Sequence, residues 1–275
     1  ENEALKKIFE LFIPKKSRII VETPGWSSLT LFARQAHVEK KIVTLEKKKP
    51  ITSGKNKRPE TVLPNFDIYH KSVNEKTKMI YLSSPNTVSG VSLPMDELKI
   101  VLDSIPDNVI ILIDQRYFDL SFNKEKLDAI KLINDYKNLI VLRSLNNTYN
   151  ISSLTISYLV TNKNLASFIK KRHLINEIDP VNEKLAVACI DDLEYNKELT
   201  KKIKEEYKYF TKELSKYKID YIESETNYLL VDSPRTYKET KEDLKNQNIT
   251  LYESNDQIGT FWTLPFSTRK VNNKI

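Results

Sequence analysis

The chain has 275 residues, 40% of them hydrophobic, which excludes wholesale disorder and provides for one large core or two domains of ordinary size. A single cysteine, Cys189, excludes an intrachain disulfide and a Cys-based metal cluster, and fits a reducing, cytoplasmic compartment. The net charge of +7 arises from 44 Lys and Arg against 37 Asp and Glu, a mixed surface rather than a basic tail.

The chain opens on Glu1 without an initiator methionine and already in helical rhythm, so a segment upstream is expected to be missing. Leu5, Ile8, Phe9 and Phe12 make one helical face. "RIIVE" (Arg18 to Glu22) reads as a strand ended by "TPGW", followed by a helix around Ser27 to Ala36 and the strand "KIVTLE" (Lys41 to Glu46). The basic stretch Glu46 to Pro59 carries proline, glycine and serine but no interleaved aromatics, which favours a solvated loop over a nucleic-acid patch. "KMIYLSS" (Lys78 to Ser84) is a strand running into "PNTVSG", and Pro94 opens a helix with Leu98, Val101, Leu102 and Ile105 on one face. "NVIILID" (Asn108 to Asp114) is apolar on both alternations, as a strand covered on both faces requires. A helix around Lys124 to Tyr136, the strand "LIVL" (Leu139 to Leu142) and the strand "TISYLVT" (Thr155 to Thr161) follow. Strand and helix alternating at this spacing predict βαβ units and a mostly parallel sheet.

From Asn164 to about Tyr217 the pattern is helical, broken at Pro180. The strand "NYLLVD", a helix around Tyr237 to Asn246 and the strand "FWTLPF" complete a smaller α+β unit. The expected division is a large α/β domain over 1–175 and a small α+β domain over 176–275. No apolar run approaches the roughly 18–20 residues of a membrane span, so no membrane association is expected. His37, His70 and His173 are too scattered for ligation, and no metal is expected.

Ligands of an open parallel sheet sit outside the carboxyl ends of its strands. Those ends carry "PGW", "SPNTVSG", "DQRY" and "RSLNN", and the later part of the chain carries "SETNYLLV" and "FWTLPFSTRK". In order and spacing these resemble the "N-P-N-N-P-T-G", "D-E-A-Y", "R-T-L-S-K", "S-E-T-N-Y-I-L" and "L-R-I-T-V-G-T-R-E" segments of fold-type I pyridoxal-phosphate enzymes. The specific likeness is to class I/II aminotransferases of the histidinol-phosphate aminotransferase type. It spans essentially the whole chain and implies that about the first quarter of the family fold is absent.

The resemblance implies roles residue by residue. Trp26 would stack on the pyridine ring, Asp114 would pair with its nitrogen and sustain the electron sink, Tyr117 would bond the ring oxygen, and Ser144 would contact the phosphate. Other positions depart. Thr87 stands for an asparagine, Asn147 for the Schiff-base lysine, and Thr155 for the arginine that grips the phosphate. On the substrate side Asn227 is kept, while Thr263 replaces the arginine that clamps the carboxylate. An amide is neither a nucleophile nor a usable base, and each lost charge-assisted arginine contact is worth about 1.5–3 kcal/mol. Lys163 and Lys170 fall past "TISYLVT", away from the site end, and are not substitutes.

The leading expectation is therefore a catalytically degenerate aminotransferase-fold protein acting as a binding or scaffolding module, with no catalytic residue. It would be a homodimer or bound to a protein partner, taking a small ligand between Trp26 and Asp114. Pyridoxal phosphate is implied by the resemblance, without covalent attachment, or no cofactor at all. The alternatives are a working pyridoxal-phosphate aminotransferase of histidinol-phosphate or aromatic amino acid type with an atypical site, and a nucleic-acid-associated protein.

Overall fold

The computed structural model describes residues 1–23, 25–48, 61–121, 128–149, 151, 156–172, 178–232, 237–246, 248–249 and 261–273. Its centre is a seven-stranded sheet in the order β3-β2-β1-β4-β5-β6-β7. The strands are β1 (Arg18–Thr23), β2 (Glu39–Lys48), β3 (Thr61–Pro64), β4 (Thr77–Ser83), β5 (Ile110–Asp114), β6 (Leu139–Ser144) and β7 (Ser157–Thr161). The pairs from β2 through β6 are parallel, while the edge strands β3 and β7 run antiparallel to their neighbours. The expected mostly parallel sheet is the sheet observed.

Alternation along the central strands sends side chains to two separate cores. On β4, β5 and β6, Ile80, Leu82, Ile111, Ile113, Leu139 and Val141 face one core. Met79, Tyr81, Ile110, Leu112, Ile140 and Leu142 face the other. The first is covered by α3 (Phe66–Ser72) through Tyr69 and by α4 (Met95–Ser104) through Leu98, Val101 and Leu102. The second is covered by α1 (Asn2–Phe12) through Leu5, Ile8 and Phe9 and by α2 (Ser27–Gln35) through Leu29 and Ala33. Each fully buried aliphatic side chain contributes about 1.5–3 kcal/mol. Burial on both faces explains why these strands read as unbroken apolar runs.

Beyond β6 lie a one-turn helix α5 (Leu145–Thr148), then α6 (Lys163–Arg172), α7 (Pro180–Asp191) and α8 (Leu193–Lys216). A second sheet, β10 (Phe261–Pro265), β9 (Tyr228–Asp232) and β8 (Tyr221–Ile222), is antiparallel, and α9 (Tyr237–Asn246) and α10 (Arg269–Asn272) complete the elements. The small sheet touches the large core, because Ile222 and Leu230 belong to the cluster that holds Ile80 and Ile111. Ala186 of α7 packs with Leu145, Tyr149 and Ile156, so the chain just past residue 175 shares a cluster with the chain before it.

Two local differences from expectation have physical reasons. The segment Lys124 to Tyr136, expected as a helix, is described only from residue 128, where it forms a short 3-10 turn, Ala129–Leu132. There Asp128 accepts from the Ile130 N–H and also binds Arg143 at 2.7 Å, anchoring the turn from one end. β3 and α3 were not anticipated, because the four-residue strand and the seven-residue helix are too short for a period to show. Residues 49–60, most of the basic stretch, lie outside the described residues, as does Thr155.

Candidate functional site

The carboxyl ends of β1, β4, β5 and β6 lie at one end of the sheet, and the register sets Asp114, last in β5, beside Ser83, last in β4. Lys163 follows β7, whose Thr161 pairs with Ile140 near the start of β6, so it sits at the opposite end.

Asp114 is buried and fully engaged. The Tyr81 hydroxyl donates to its Oδ2 at 2.6 Å. Arg116 donates Nε to both oxygens at 2.9 Å, Nη2 to Oδ2 at 2.7 Å, and its backbone N–H to Oδ1 at 3.1 Å. A carboxylate has about four lone-pair positions, and these donors occupy them. Burial, followed by the Asp114 charge, holds the Tyr81 phenol well above its ordinary pKa, so it stays a neutral donor. Burial alone would lower the Arg116 pKa, but the Asp114 charge and hydrogen bonds outweigh it and raise it.

The Arg116 guanidinium also lies over the Trp26 ring, its carbon 3.8 Å from the ring centroid. The space between Trp26 and Asp114, expected to receive a ligand, is therefore filled by a side chain of the protein. Arg116 extends further, with Nη1 3.4 Å from Glu1 Oε2, and the other Glu1 oxygen accepts from the Ser144 hydroxyl at 2.6 Å. Ser144 is thus engaged by a carboxylate while also capping α5 through the Asn146 N–H.

Two of the other candidate residues line a second space. Asn147, on α5, and Asn227, just before β9, line one cavity of about 690 Å³ with Leu120, Lys202, Phe266 and Arg269. Among the described residues Asn227 Oδ1 and Thr87 Oγ1 are buried without a hydrogen-bond partner, which costs free energy unless something else meets them. Thr263 donates to the Val88 carbonyl at 3.1 Å, tying β10 to the 84–90 loop. Tyr117 packs edge-on to Tyr228 with centroids 5.5 Å apart, and burial raises its pKa.

Glu22, at the end of β1, was not anticipated. It is buried and accepts from the Ser83 backbone N–H, the Ser83 hydroxyl at 2.6 Å and Asn86 Nδ2 at 3.1 Å. Burial pushes its carboxyl up to about 7 despite those bonds. Tyr81 and Arg116 were missed as well. A tyrosine inside a fully covered strand needs a polar partner, and "DQRY" departs from "D-E-A-Y" at Arg116; those were the available signals.

Residues 2–255 match the family model described as aminotransferase class I and II. The chain belongs to that family. A histidinol-phosphate aminotransferase of Leuconostoc citreum is 26% identical over 263 residues, which are 95% of this chain and 69% of that protein. One of Caldicellulosiruptor saccharolyticus is 29% identical over 168 residues, 61% of this chain and 47% of that protein. The chain thus aligns with about half the length of several curated relatives it matches. Among solved structures, the histidinol-phosphate aminotransferase of Sinorhizobium meliloti in complex with pyridoxal-5'-phosphate superposes with TM-score 0.84 at 15% identity, over 98% of this chain and 71% of that one. The enzyme of Clostridium acetobutylicum gives TM-score 0.82 at 18% identity, over 99% and 78%. These likenesses establish the fold: an aminotransferase-type α/β body that is partial relative to those structures.

The family implies pyridoxal phosphate, and the residues here do not fit it. A pyridine ring on Trp26 with its nitrogen at Asp114 would overlap the Arg116 guanidinium, and Asp114 has no acceptor position left.

Proposed function

We propose that this chain is a catalytically degenerate member of the aminotransferase family that holds a small ligand non-covalently in the cavity between Asn147 and Asn227. The observation that carries this reading is the side chain at 147. It lines the cavity at the carboxyl end of β6, and an amide there offers no nucleophile. Asn227 Oδ1, without a partner among the described residues, supports a polar ligand.

The second reading is a working pyridoxal-phosphate aminotransferase of histidinol-phosphate or aromatic amino acid type with an atypical site. The comparisons favour it over the first, since the matched relatives bear that name. It requires an amine at the cavity, and Lys202 lines it, with Nζ 2.7 Å from Glu198 Oε1. Incubation with pyridoxal phosphate, borohydride reduction and peptide mass mapping separate the two. No label on a cavity lysine and no amino-group transfer from any tested amino acid are expected. Label at Lys202 together with turnover would establish the enzyme instead.

Assembly as a homodimer, or with a protein partner over the same face, belongs to this proposal. Apolar side chains exposed on α7, Val181 at 73% and Ile190 at 48%, support it. Among the described residues no helix is long and apolar enough to cross a membrane.

A further inference from the structure

A slot made of an indole face and a buried carboxylate selects a flat cation. The ring contributes attraction across its face, and the carboxylate takes N–H donors in the plane. Arg116 meets both demands at once. Its guanidinium carbon is 3.8 Å from the Trp26 centroid, and Nε and Nη2 reach Asp114 at 2.7–2.9 Å. Its side chain is 8% exposed and that of Asp114 is 0% exposed. The carboxylate of Glu1 then bridges Arg116 Nη1 to the Ser144 hydroxyl, so a cationic plane and an anionic group lie in sequence across the site.

We infer that Arg116 is the protein's own occupant of the aromatic slot, and that it excludes any planar heterocycle from the space between Trp26 and Asp114. Three features make the exclusion strong. The guanidinium is already desolvated, so leaving the slot would strand Asp114 as a buried charge held only by the Tyr81 hydroxyl and the Arg116 backbone N–H. The occupant is tethered two residues from the carboxylate, so no free ligand matches its effective concentration. The guanidinium is planar and always charged, so neither geometry nor pH releases it within the ordinary range. The consequence is a ligand site displaced from the ring slot toward the cavity of Asn147 and Asn227.

The test uses 4'-deoxypyridoxine 5'-phosphate, which has the ring and phosphate but no aldehyde. Its binding does not depend on any lysine, so the result is independent of whether the chain forms a covalent adduct. Titration calorimetry and tryptophan fluorescence should show no saturation with the wild-type chain at micromolar concentrations. Arg116→Ala should bind at least tenfold more tightly with quenching, and Trp26→Leu added to it should abolish the gain. Methylguanidinium at millimolar concentration should compete with the analogue in Arg116→Ala and raise its thermal midpoint. Should Arg116→Ala fail to fold, Arg116→Lys keeps a charge at Asp114 but cannot cover the indole, and it should bind the analogue more tightly than wild type. Micromolar saturation of the wild-type chain, or no tightening in a folded Arg116 variant, would overturn the inference.

Discussion

Gly90 sits against Ser224 with no room for a β-carbon between them. Its φ is +69°, and a methyl group there would overlap the Ser224 hydroxyl and lie 2.7 Å from Thr226 Oγ1. At this point the loop after β4 meets the segment before β9. The Glu225 N–H donates to the Gly90 carbonyl at 2.9 Å, and the Tyr228 hydroxyl donates to the Asn86 carbonyl at 2.7 Å. The joint ties the 84–90 loop to the segment that carries Asn227.

Gly90→Ala is therefore expected to destabilise the fold by about 2–5 kcal/mol, combining the left-handed backbone penalty with overpacking. Urea denaturation measures it. Ser224→Gly in the same chain should restore part of the loss by removing the overlapping hydroxyl, leaving the backbone term of about 1–2 kcal/mol and the close contact with Thr226 Oγ1. A neutral Gly90→Ala would mean that the loop and the small sheet are not packed as described.

Glu22 makes stability depend on pH in a direction unusual for a carboxylate. Its pKa rises from the ordinary 4.5 to about 7 in the folded chain. Between those values the folded state holds a proton that the unfolded state has released, so stability falls as pH rises. The loss approaches about 1.4 kcal/mol per pH unit and totals about 3 kcal/mol. Glu22→Gln keeps an acceptor for the Ser83 N–H and cannot ionise. Urea midpoints for wild type and variant, taken at pH 5 and pH 7.5, should converge at the lower pH, with the variant the more stable at the higher. Equal pH slopes in the two proteins would count against a raised Glu22.

What could be read from the sequence divides along a physical line. The strand ends were legible because strands covered on both faces are apolar throughout, and Asp114 and Arg143 are where the polar letters resume. Asn147 and Asn227, given roles only by the family resemblance, line one cavity. Arg116 was not legible, because a motif fixes where a residue sits and not where a long side chain folds back. Its stacking on Trp26 joins residues 90 positions apart through a rotamer that no periodicity encodes. Tyr81 was hidden by its apolar neighbours, and Glu22 by reading as a strand's polar terminus, although both are buried.

Assembly can be checked directly. Light scattering at micromolar concentration should give the mass of a dimer. Val181→Lys with Ile190→Lys should shift it toward the monomer without changing the far-ultraviolet circular dichroism, since both side chains are exposed in the isolated chain. A wild-type chain that is strictly monomeric with no partner would remove homodimerisation from the proposal.

The remaining prediction joins the two departures at the site. Asn147 lines the cavity from α5, while Arg116 fills the slot in which a pyridine ring would be held. An amine restored at 147 would thus face a cofactor with nowhere to stack. Asn147→Lys alone should leave little borohydride-fixed pyridoxal phosphate at position 147. Arg116→Ala alone should leave none, since no amine stands there. The double variant opens the slot and supplies the nucleophile together, so its label at 147 should exceed the sum of the single variants by at least tenfold, a coupling of about 1.4 kcal/mol or more. Peptide mapping distinguishes this from label on surface lysines, which should be equal in all three proteins. Simple additivity would show that Arg116 does not control access to the ring slot. Full labelling of Asn147→Lys by itself would show the same, and would leave Asn147 as the departure that matters.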